Sequence, residues 1–220
     1  MAPPTTGTAI GASTDTRTDS PGRTRILEVA AGLFLDHGYE AASLRRIAED
    51  VGIQAASIYH HFESKEDLLA TILRRGMAVM DDAFDRAAGW VDDHDADPRT
   101  RLAAHVRAHL AALYENGPFT AVHVTTFRIA PDEVRAAIVP VSDAYEARWT
   151  DLLHSLVDAG HLAADTDVGV ARVLLLGGMN ATVGRFDPAF GSLDHLTAVA
   201  VRQFWDGHAL DDGYGRGTPT

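Results

Sequence analysis

Apolar residues recur at helical spacing along most of the chain, and no segment shows the strict alternation that indicates a β-strand. The clearest stripe joins Leu44, Ile47, Ala48 and Val51, at positions i, i+3, i+4 and i+7. Similar stripes predict helices over residues 25–37, 65–88, 100–115, 134–159, 165–186 and 193–205. The pattern therefore predicts an all-α protein.

Residues 42–69 carry signals for two short helices, a tight turn between them and the start of a third helix. Ser43 precedes the first stripe as an N-cap, and Gly52 follows it as a residue that can adopt the left-handed conformation. Ile58 and Phe62 can anchor the second helix against the first, and Ser64 can cap the third. The stretch predicts a helix-turn-helix unit, although the spacing alone also fits an ordinary helical corner.

A series of short motifs occurs at fixed spacing in the same stretch: Gly38-Tyr39, Ala42-Ser43-Leu44, Ile47-Ala48, Gly52-Ile53, Ile58-Tyr59, His61-Phe62 and Ser64-Lys65-Glu66-Asp67-Leu68. With these motifs, residues Thr24 to Leu69 resemble the DNA-binding domain of the tetracycline-repressor-like (TetR) family of transcriptional regulators. The remainder of the chain matches that family in layout rather than in motif.

The resemblance implies that the second helix of the unit enters the DNA major groove while neighbouring side chains hold phosphates. The family's tyrosine and lysine at the positions of Tyr59 and Lys65 contact phosphates. We expect base contacts mainly from Gln54, Ser57 and His60. The candidate DNA-binding residues are Thr24, Ser43, Arg45, Gln54, Ala55, Ser57, Tyr59, His60 and Lys65.

The second helix departs from the family pattern at Ala55-Ala56, where many relatives carry Lys-Gly or a similar pair. This change removes a cation and leaves room for methyl contact with thymine. Arg45, on the preceding helix, is expected to support base reading. Because the cation is missing at Ala55-Ala56, we expect the affinity for DNA to depend more on DNA shape than it does in those relatives.

The chain is predicted to have four parts: a disordered tail (1–22), a DNA-binding domain (23–66), a ligand-binding and dimerisation domain (67–208) and a loose tail (209–220). The resemblance implies that the last two long helices form a four-helix bundle with those of a second subunit. The candidate interface residues are Leu175, Met179, Leu196, Val199 and Phe204.

Aromatic, methionine and polar residues on the helices of the larger domain are candidates for an effector pocket, although each also fits an ordinary core. An apolar pocket with a few polar groups predicts a small apolar or amphipathic effector. Arg128 would suit an acidic group or an acyl-coenzyme A phosphate. The candidate ligand-binding residues are Tyr114, Phe119, His123, Phe127, Arg128, Trp149, Met179 and Asn180.

The net charge of −12 lies mainly outside the helix-turn-helix unit. Residues 66–220 hold 13 Lys and Arg against 23 Asp and Glu, whereas residues 23–65 hold five against six. The few cations of the unit must therefore be well placed to contact DNA, and we expect a modest salt dependence.

Several function classes are excluded by composition and motif. The chain has no cysteine, hence no disulfide, thiolate metal site or cysteine nucleophile. It also lacks a Gly-rich phosphate loop after a strand, GxSxG and HExxH, so we predict neither an enzyme nor a cofactor. No apolar run approaches 18 residues, and residues 1–22 lack a secretory pattern, so we expect a cytoplasmic protein without membrane contact.

His105 and His109 lie at i and i+4, a spacing that can begin a zinc site. No third ligand can be assigned, so a pocket wall or a surface position is the default interpretation and no metal is predicted. The sequence favours a repressor that binds a palindromic operator DNA as a homodimer and is released by a small molecule. The alternatives are a helical dimeric module that binds a ligand or protein without binding DNA, and a metal-responsive regulator.

Overall fold

The computed structural model describes residues 20–115, 117–186 and 191–208. These ranges contain helices and connecting turns but no β-strand, which confirms the predicted all-α class. A single 3-10 turn, Phe127–Ile129, follows the sixth helix. The helices are α1 (Pro21–His37), α2 (Leu44–Val51), α3 (Ala55–Ile58), α4 (Lys65–Asp93), α5 (Pro98–Tyr114), α6 (Phe119–Thr126), α7 (Asp132–Asp158), α8 (Val168–Asn180) and α9 (Leu193–His208).

Helix α1 begins at Pro21, so the predicted start at Arg25 and the predicted tail boundary at residue 22 are wrong. The hydroxyl of Ser20 accepts a hydrogen bond from the backbone N–H of Arg23, and the proline lies in the first turn. A Ser-Pro start suits a helix because proline has no N–H to leave unpaired there. The other residues of the predicted N-terminal tail, and the predicted tail from 209, lie outside the described residues.

The structure confirms the three predicted cap residues of the helix-turn-helix unit, Ser43, Gly52 and Ser64. The Ser43 hydroxyl accepts from the backbone N–H of Arg46 at 3.2 Å, and the Ser64 hydroxyl accepts from that of Asp67 at 3.1 Å. Gly52 ends α2 with φ 83° and ψ 31°, the left-handed conformation that glycine adopts without steric cost.

Two predicted helix ends differ from the structure. Helix α4 runs on to Asp93, beyond the predicted end at residue 88, and Val91 in the added turn is buried. Helix α8 is shorter than predicted: it begins at Val168, where the Asp167 carboxylate accepts from the backbone N–H of Val170, and it ends at Asn180.

The apolar side chains form two cores that share helix α4. The first core lies in the N-terminal head (residues 21–73) and also includes residues of α6 and of the start of α7. The second core lies between α4, α5, α7, α8 and α9, which form the body of the molecule. At Gly76 the axis of α4 passes so close to α6 that an added Cβ would lie 2.6 Å from the carbonyl oxygen of Phe119. Head and body are therefore linked through α4 and α6.

Candidate functional site

The short helix α3 presents an exposed surface beside its N-terminus. Gln54 is the N-cap residue, and it is exposed together with Ala55 and Ala56. In the turn after the helix, 61% of the surface of Tyr59 is exposed, and His60 is exposed as well. Ile58 on the opposite side is fully buried and packs in one core with residues of α1 and α2. The outward side of the unit is thus free to contact a partner.

Of the other predicted DNA-binding residues, Ser43 is exposed, and Thr24 and Ser57 are half-buried. Arg45 is exposed and pairs with Glu49 one turn later, with 3.1 Å between its Nε and the carboxylate. Arg46 pairs with Asp50 in the same way at 3.0 Å. Exposed pairs of this kind contribute little stability, so both guanidinium groups can exchange their partners for a phosphate at small cost.

The side chain of Lys65 is held at the start of α4. Its Nζ lies 4.1 Å from the centroid of the Tyr39 ring and 3.4 Å from the backbone oxygen of Glu40. The Tyr39 hydroxyl in turn donates to the Glu66 carboxylate at 3.0 Å. Burial, followed by this hydrogen bond, raises the pKa of Tyr39, so the phenol stays protonated and keeps donating.

A cavity of about 230 Å³ lies in the body, lined by residues of α4, α5, α6, α7 and α8. Five of its lining residues are apolar or glycine and seven are polar or charged. The lining residues are Met77, Met80, His109, His123, Ser142, Tyr145, Glu146, Arg172, Val173, Leu176, Gly177 and Asn180. We call this space the α4–α8 cavity.

His109 joins three helices across this cavity. Its Nδ1 lies 2.8 Å from the Tyr145 hydroxyl, and its Nε2 lies 3.0 Å from Oδ1 of Asn180. Burial lowers the pKa of His109 to about 4, so the imidazole is neutral at pH 7. A neutral imidazole donates at one nitrogen only, and the amide oxygen requires that donor at Nε2. Nδ1 then accepts a hydrogen bond from the Tyr145 hydroxyl.

His123 and Arg172 are the two lining residues of the cavity that have a buried polar atom without a hydrogen bond to the described residues. The ring of His123 stacks on Phe127 with 5.2 Å between centroids, and its Nδ1 is buried without a hydrogen bond to any described residue. Burial lowers the pKa of His123 to about 4. The imidazole of His123 is therefore neutral at pH 7.

The charged groups of the cavity are paired. Arg172 on α8 donates through its Nη1 to the Glu146 carboxylate on α7, and 18% of the Arg172 side chain and 47% of the Glu146 side chain are exposed. A molecule that enters the cavity therefore meets methionines, valine and leucine together with neutral hydrogen-bonding groups. Such a lining suits an uncharged apolar group that carries a hydrogen-bonding atom.

Two of the eight predicted ligand-binding residues, His123 and Asn180, line the α4–α8 cavity. Of the others, Trp149 is fully buried behind His109, Phe119 is buried beside Arg75, and the hydroxyl of Tyr114 donates to Thr182. Phe127 and Arg128 line a shallow hollow at the surface, and Met179 lines a different groove. The cavity also uses Met77 and Met80 of α4, which were not among the predicted ligand-binding residues.

Helix α8 carries an exposed apolar face formed by Val170, Val173, Leu174, Gly177 and Gly178, which Ala181 extends directly after the helix. Its three large residues are 54%, 58% and 66% exposed. Beside this apolar α8 face, a groove of about 330 Å³ runs between α8 and α9. All five predicted interface residues line that groove. Three of them, Leu175, Met179 and Phe204, are also buried in the chain's own core.

The two histidines that were considered as a metal pair contact different partners in the structure. The Nδ1 of His105 lies 2.8 Å from the Arg101 backbone oxygen, and its ring packs on Phe84. His109 uses both nitrogens within the α4–α8 cavity. In the ranges that the structure describes, no group of three His, Asp or Glu side chains is arranged to hold a metal ion.

Comparison with known proteins identifies the family. Residues 26–72 match the family described as bacterial regulatory proteins, tetR family, and residues 95–190 match the tetracyclin repressor-like C-terminal domain. The transcriptional repressor KstR2 of Rhodococcus jostii (strain RHA1) is 30% identical over 158 residues, which cover 71% of this chain and 76% of that repressor. This chain belongs to the TetR family.

Solved structures agree with this assignment. The TetR-family regulator PfmR from Thermus thermophilus is 28% identical with a TM-score of 0.72, and the alignment covers 85% of this chain and 99% of that one. AibR, solved in complex with isovaleryl coenzyme A and operator DNA, is 26% identical with a TM-score of 0.71, over 82% and 96% of the two chains.

The family membership confirms the predicted class of function. The protein is a DNA-binding transcriptional regulator and not an enzyme. Its N-terminal head contains the helix-turn-helix unit, and its body contains the ligand-binding domain that is typical of the family. None of the helices that the structure describes has the length and apolar character needed to cross a membrane.

Proposed function

We propose that this TetR-family regulator represses transcription by binding a palindromic operator as a homodimer, and that a small molecule in the α4–α8 cavity releases it. The observation that carries the proposal is the course of helix α4. Its residues Leu68 to Leu73 pack in the core of the head, and Met77 and Met80 line the cavity one turn later. A ligand that favours one position of α4 therefore favours one position of the head.

The exposed surface of the head supports the proposed DNA contacts. Gln54 and His60 can reach base edges from α3 and the turn after it, Ser57 lies between them, and the methyl groups of Ala55 and Ala56 can contact thymine. Tyr59 and Lys65 flank this surface and suit phosphates. Thr24, Ser43 and Arg45 complete the proposed interface at its edges, since all three belong to neighbouring helix starts.

The apolar α8 face supports the proposed homodimer. Three large exposed apolar side chains on one helix are costly to leave in water, and the glycines next to them allow a second helix to approach closely. A twofold dimer through this face presents two heads, one to each half-site of a palindrome. A DNA-bound regulator of this kind acts in the cytoplasm.

The lining of the α4–α8 cavity supports an apolar or amphipathic effector. The lining offers methionine and leucine side chains together with the neutral polar groups of His109, Tyr145 and Asn180. AibR holds isovaleryl coenzyme A together with operator DNA in its solved structure. Short acyl-coenzyme A thioesters are therefore the first compounds to test.

An electrophoretic mobility shift with DNA from upstream of the regulator's own gene tests the proposal. We expect a shifted band that excess unlabelled copies of the same DNA remove and excess unrelated DNA does not. An effector that binds the free dimer better should remove the band as its concentration rises. Equal competition by unrelated DNA would contradict specific operator binding.

A further inference from the structure

The described residues of a single chain leave the α4–α8 cavity open on one side. Its volume of about 230 Å³ lies below the roughly 300–1,000 Å³ that sites for small molecules and cofactors usually have. Its missing wall lies at α8, because Val173 and Gly177 line the cavity and are also exposed to solvent. Val173 keeps 58% of its surface exposed although it borders a space inside the body.

The open side of the cavity coincides with the edge of the apolar α8 face. Val173 and Gly177 belong to both surfaces, so whatever covers the face at these two residues also covers the opening. We infer that the effector site is composite and that the partner subunit of the homodimer forms its outer wall. This inference rests on the proposed dimer and goes beyond it by making the ligand site depend on the second chain.

The ion pair between Arg172 and Glu146 lies at the same rim. In the single chain, 18% of the Arg172 side chain and 47% of the Glu146 side chain are exposed, so this pair borders the opening.

A composite site couples effector binding to assembly. A ligand that contacts both subunits binds the dimer more tightly than the monomer, and by linkage it strengthens the dimer by the same factor. It also touches both apolar α8 faces, where a small change in packing alters the distance between the two heads. The partner of this site is a second copy of the same chain, related by twofold symmetry.

The chain contains no cysteine, so one introduced thiol reports on access to the cavity. Ser142 lines the cavity and is buried, and a Ser142→Cys change is nearly isosteric. We would measure the alkylation rate of this thiol by iodoacetamide alone and combined with Leu174→Asp, which disrupts the apolar α8 face. The composite site predicts alkylation roughly tenfold faster in the double variant, because access limits the reaction of a buried thiol. An Ala78→Cys thiol, exposed on α4, should react equally fast in both backgrounds.

Dilution provides a second measurement without altering the interface. The alkylation rate of Ser142→Cys, followed across protein concentrations, should rise with the fraction of monomer measured by sedimentation. A stable dimer through the α8 face with an unchanged Ser142→Cys rate would overturn the composite site and leave the proposed dimer intact. A chain that remains monomeric at every concentration would overturn the proposed dimer, and the composite site with it.

Discussion

The cation of Lys65 is fixed before DNA arrives, since the Tyr39 ring and the Glu40 backbone oxygen hold its Nζ. A pre-positioned ammonium loses little freedom when it meets a phosphate, and a phosphate carries no sequence information. We therefore expect Lys65→Ala to weaken binding to all DNA sequences by a similar factor. It should also reduce the slope of log affinity against log salt by about one.

Fluorescence anisotropy at several salt concentrations measures both effects of Lys65→Ala. Arg86→Ala removes the same charge from an exposed position of α4 in the body and should leave the slope unchanged. Relaxed specificity at one base pair, with the salt slope intact, would show that this lysine contacts a base instead.

The buried imidazoles of the α4–α8 cavity predict a dependence of stability on pH. The pKa values of His109 and His123 are about 4 in the folded chain, below the value near 6.5 of an unfolded one. Between these values the unfolded chain binds more protons, so the free energy of unfolding falls as the pH falls from 6.5 toward 4. The loss should be on the order of 1 kcal/mol per pH unit for each imidazole.

Urea denaturation at pH 7.5 and at pH 5.5 tests the contribution of one imidazole. The His109→Gln variant should lose less stability between the two pH values than the unaltered chain does. His154→Gln, at an exposed position of α7, serves as the matched control and should behave like the unaltered chain. The same pH dependence in all three proteins would contradict the burial of a neutral His109.

Residue types alone predicted part of the cavity. His123 and Asn180 were selected as polar residues on the helices of the larger domain. Residue type did not separate Met77 and Met80, which line the cavity, from the selected Met179, which lines a different groove, because methionine at helical spacing is also the pattern of an ordinary core. The Arg172–Glu146 pair joins positions on two helices, so only the packing of α7 against α8 reveals it.

At the scale of elements, helix ends that depend on a local cap were predicted from the sequence. Ser43, Gly52 and Ser64 have the expected roles because a cap forms within three or four residues. The start of α1 was missed because the Ser20-Pro21 signal follows a stretch rich in Thr, Gly and Ser. The crossing of α4 and α6 could not be predicted, because it brings together residues more than 40 positions apart.

The crossing of α4 and α6 makes Gly76 a critical position. An added Cβ would lie 2.6 Å from the Phe119 backbone oxygen and 3.2 Å from the Cα of Thr120, so the two helices must separate to admit it. We expect Gly76→Ala to lower the free energy of unfolding by about 1–3 kcal/mol, the usual cost of overpacking. Operator affinity should change as well, because α4 and α6 connect the head to the body.

Gly89→Ala is the matched control on the same helix. A Cβ at Gly89 meets nothing within 4 Å, so this change should raise the stability by up to about 1 kcal/mol through helix propensity. Chemical denaturation of both variants measures the difference. Equal effects of the two substitutions would show that α4 and α6 are not in close contact.

At the scale of the whole molecule, neighbouring leucines of α8 separate assembly from folding. Leu174 is 66% exposed on the apolar α8 face, so Leu174→Asp should give a folded monomer. Leu175 is 6% exposed, and Leu175→Asp would bury a carboxylate in the core. The loss of the leucine side chain lowers the free energy of unfolding by roughly 2–5 kcal/mol, and the unpaired buried charge lowers it further. Together these losses approach the total stability of a domain.

Sedimentation equilibrium and circular dichroism distinguish these outcomes. Leu174→Asp should retain the helical spectrum, sediment as a monomer and bind a palindromic operator much more weakly, whereas Leu175→Asp should lose the spectrum. A fully dimeric Leu174→Asp protein would place the dimer interface on another surface.

Selection from randomised double-stranded DNA tests the central claim most directly, since it asks which sequences this regulator binds. The unaltered dimer should enrich a palindrome whose half-sites lie about one helical turn apart, or a multiple of it. Gln54→Ala, Ser57→Ala and His60→Ala should each relax the preference at few base pairs, by roughly 1–3 kcal/mol per position. Failure to enrich any palindrome, or identical preferences in all four proteins, would show that α3 does not read the major groove.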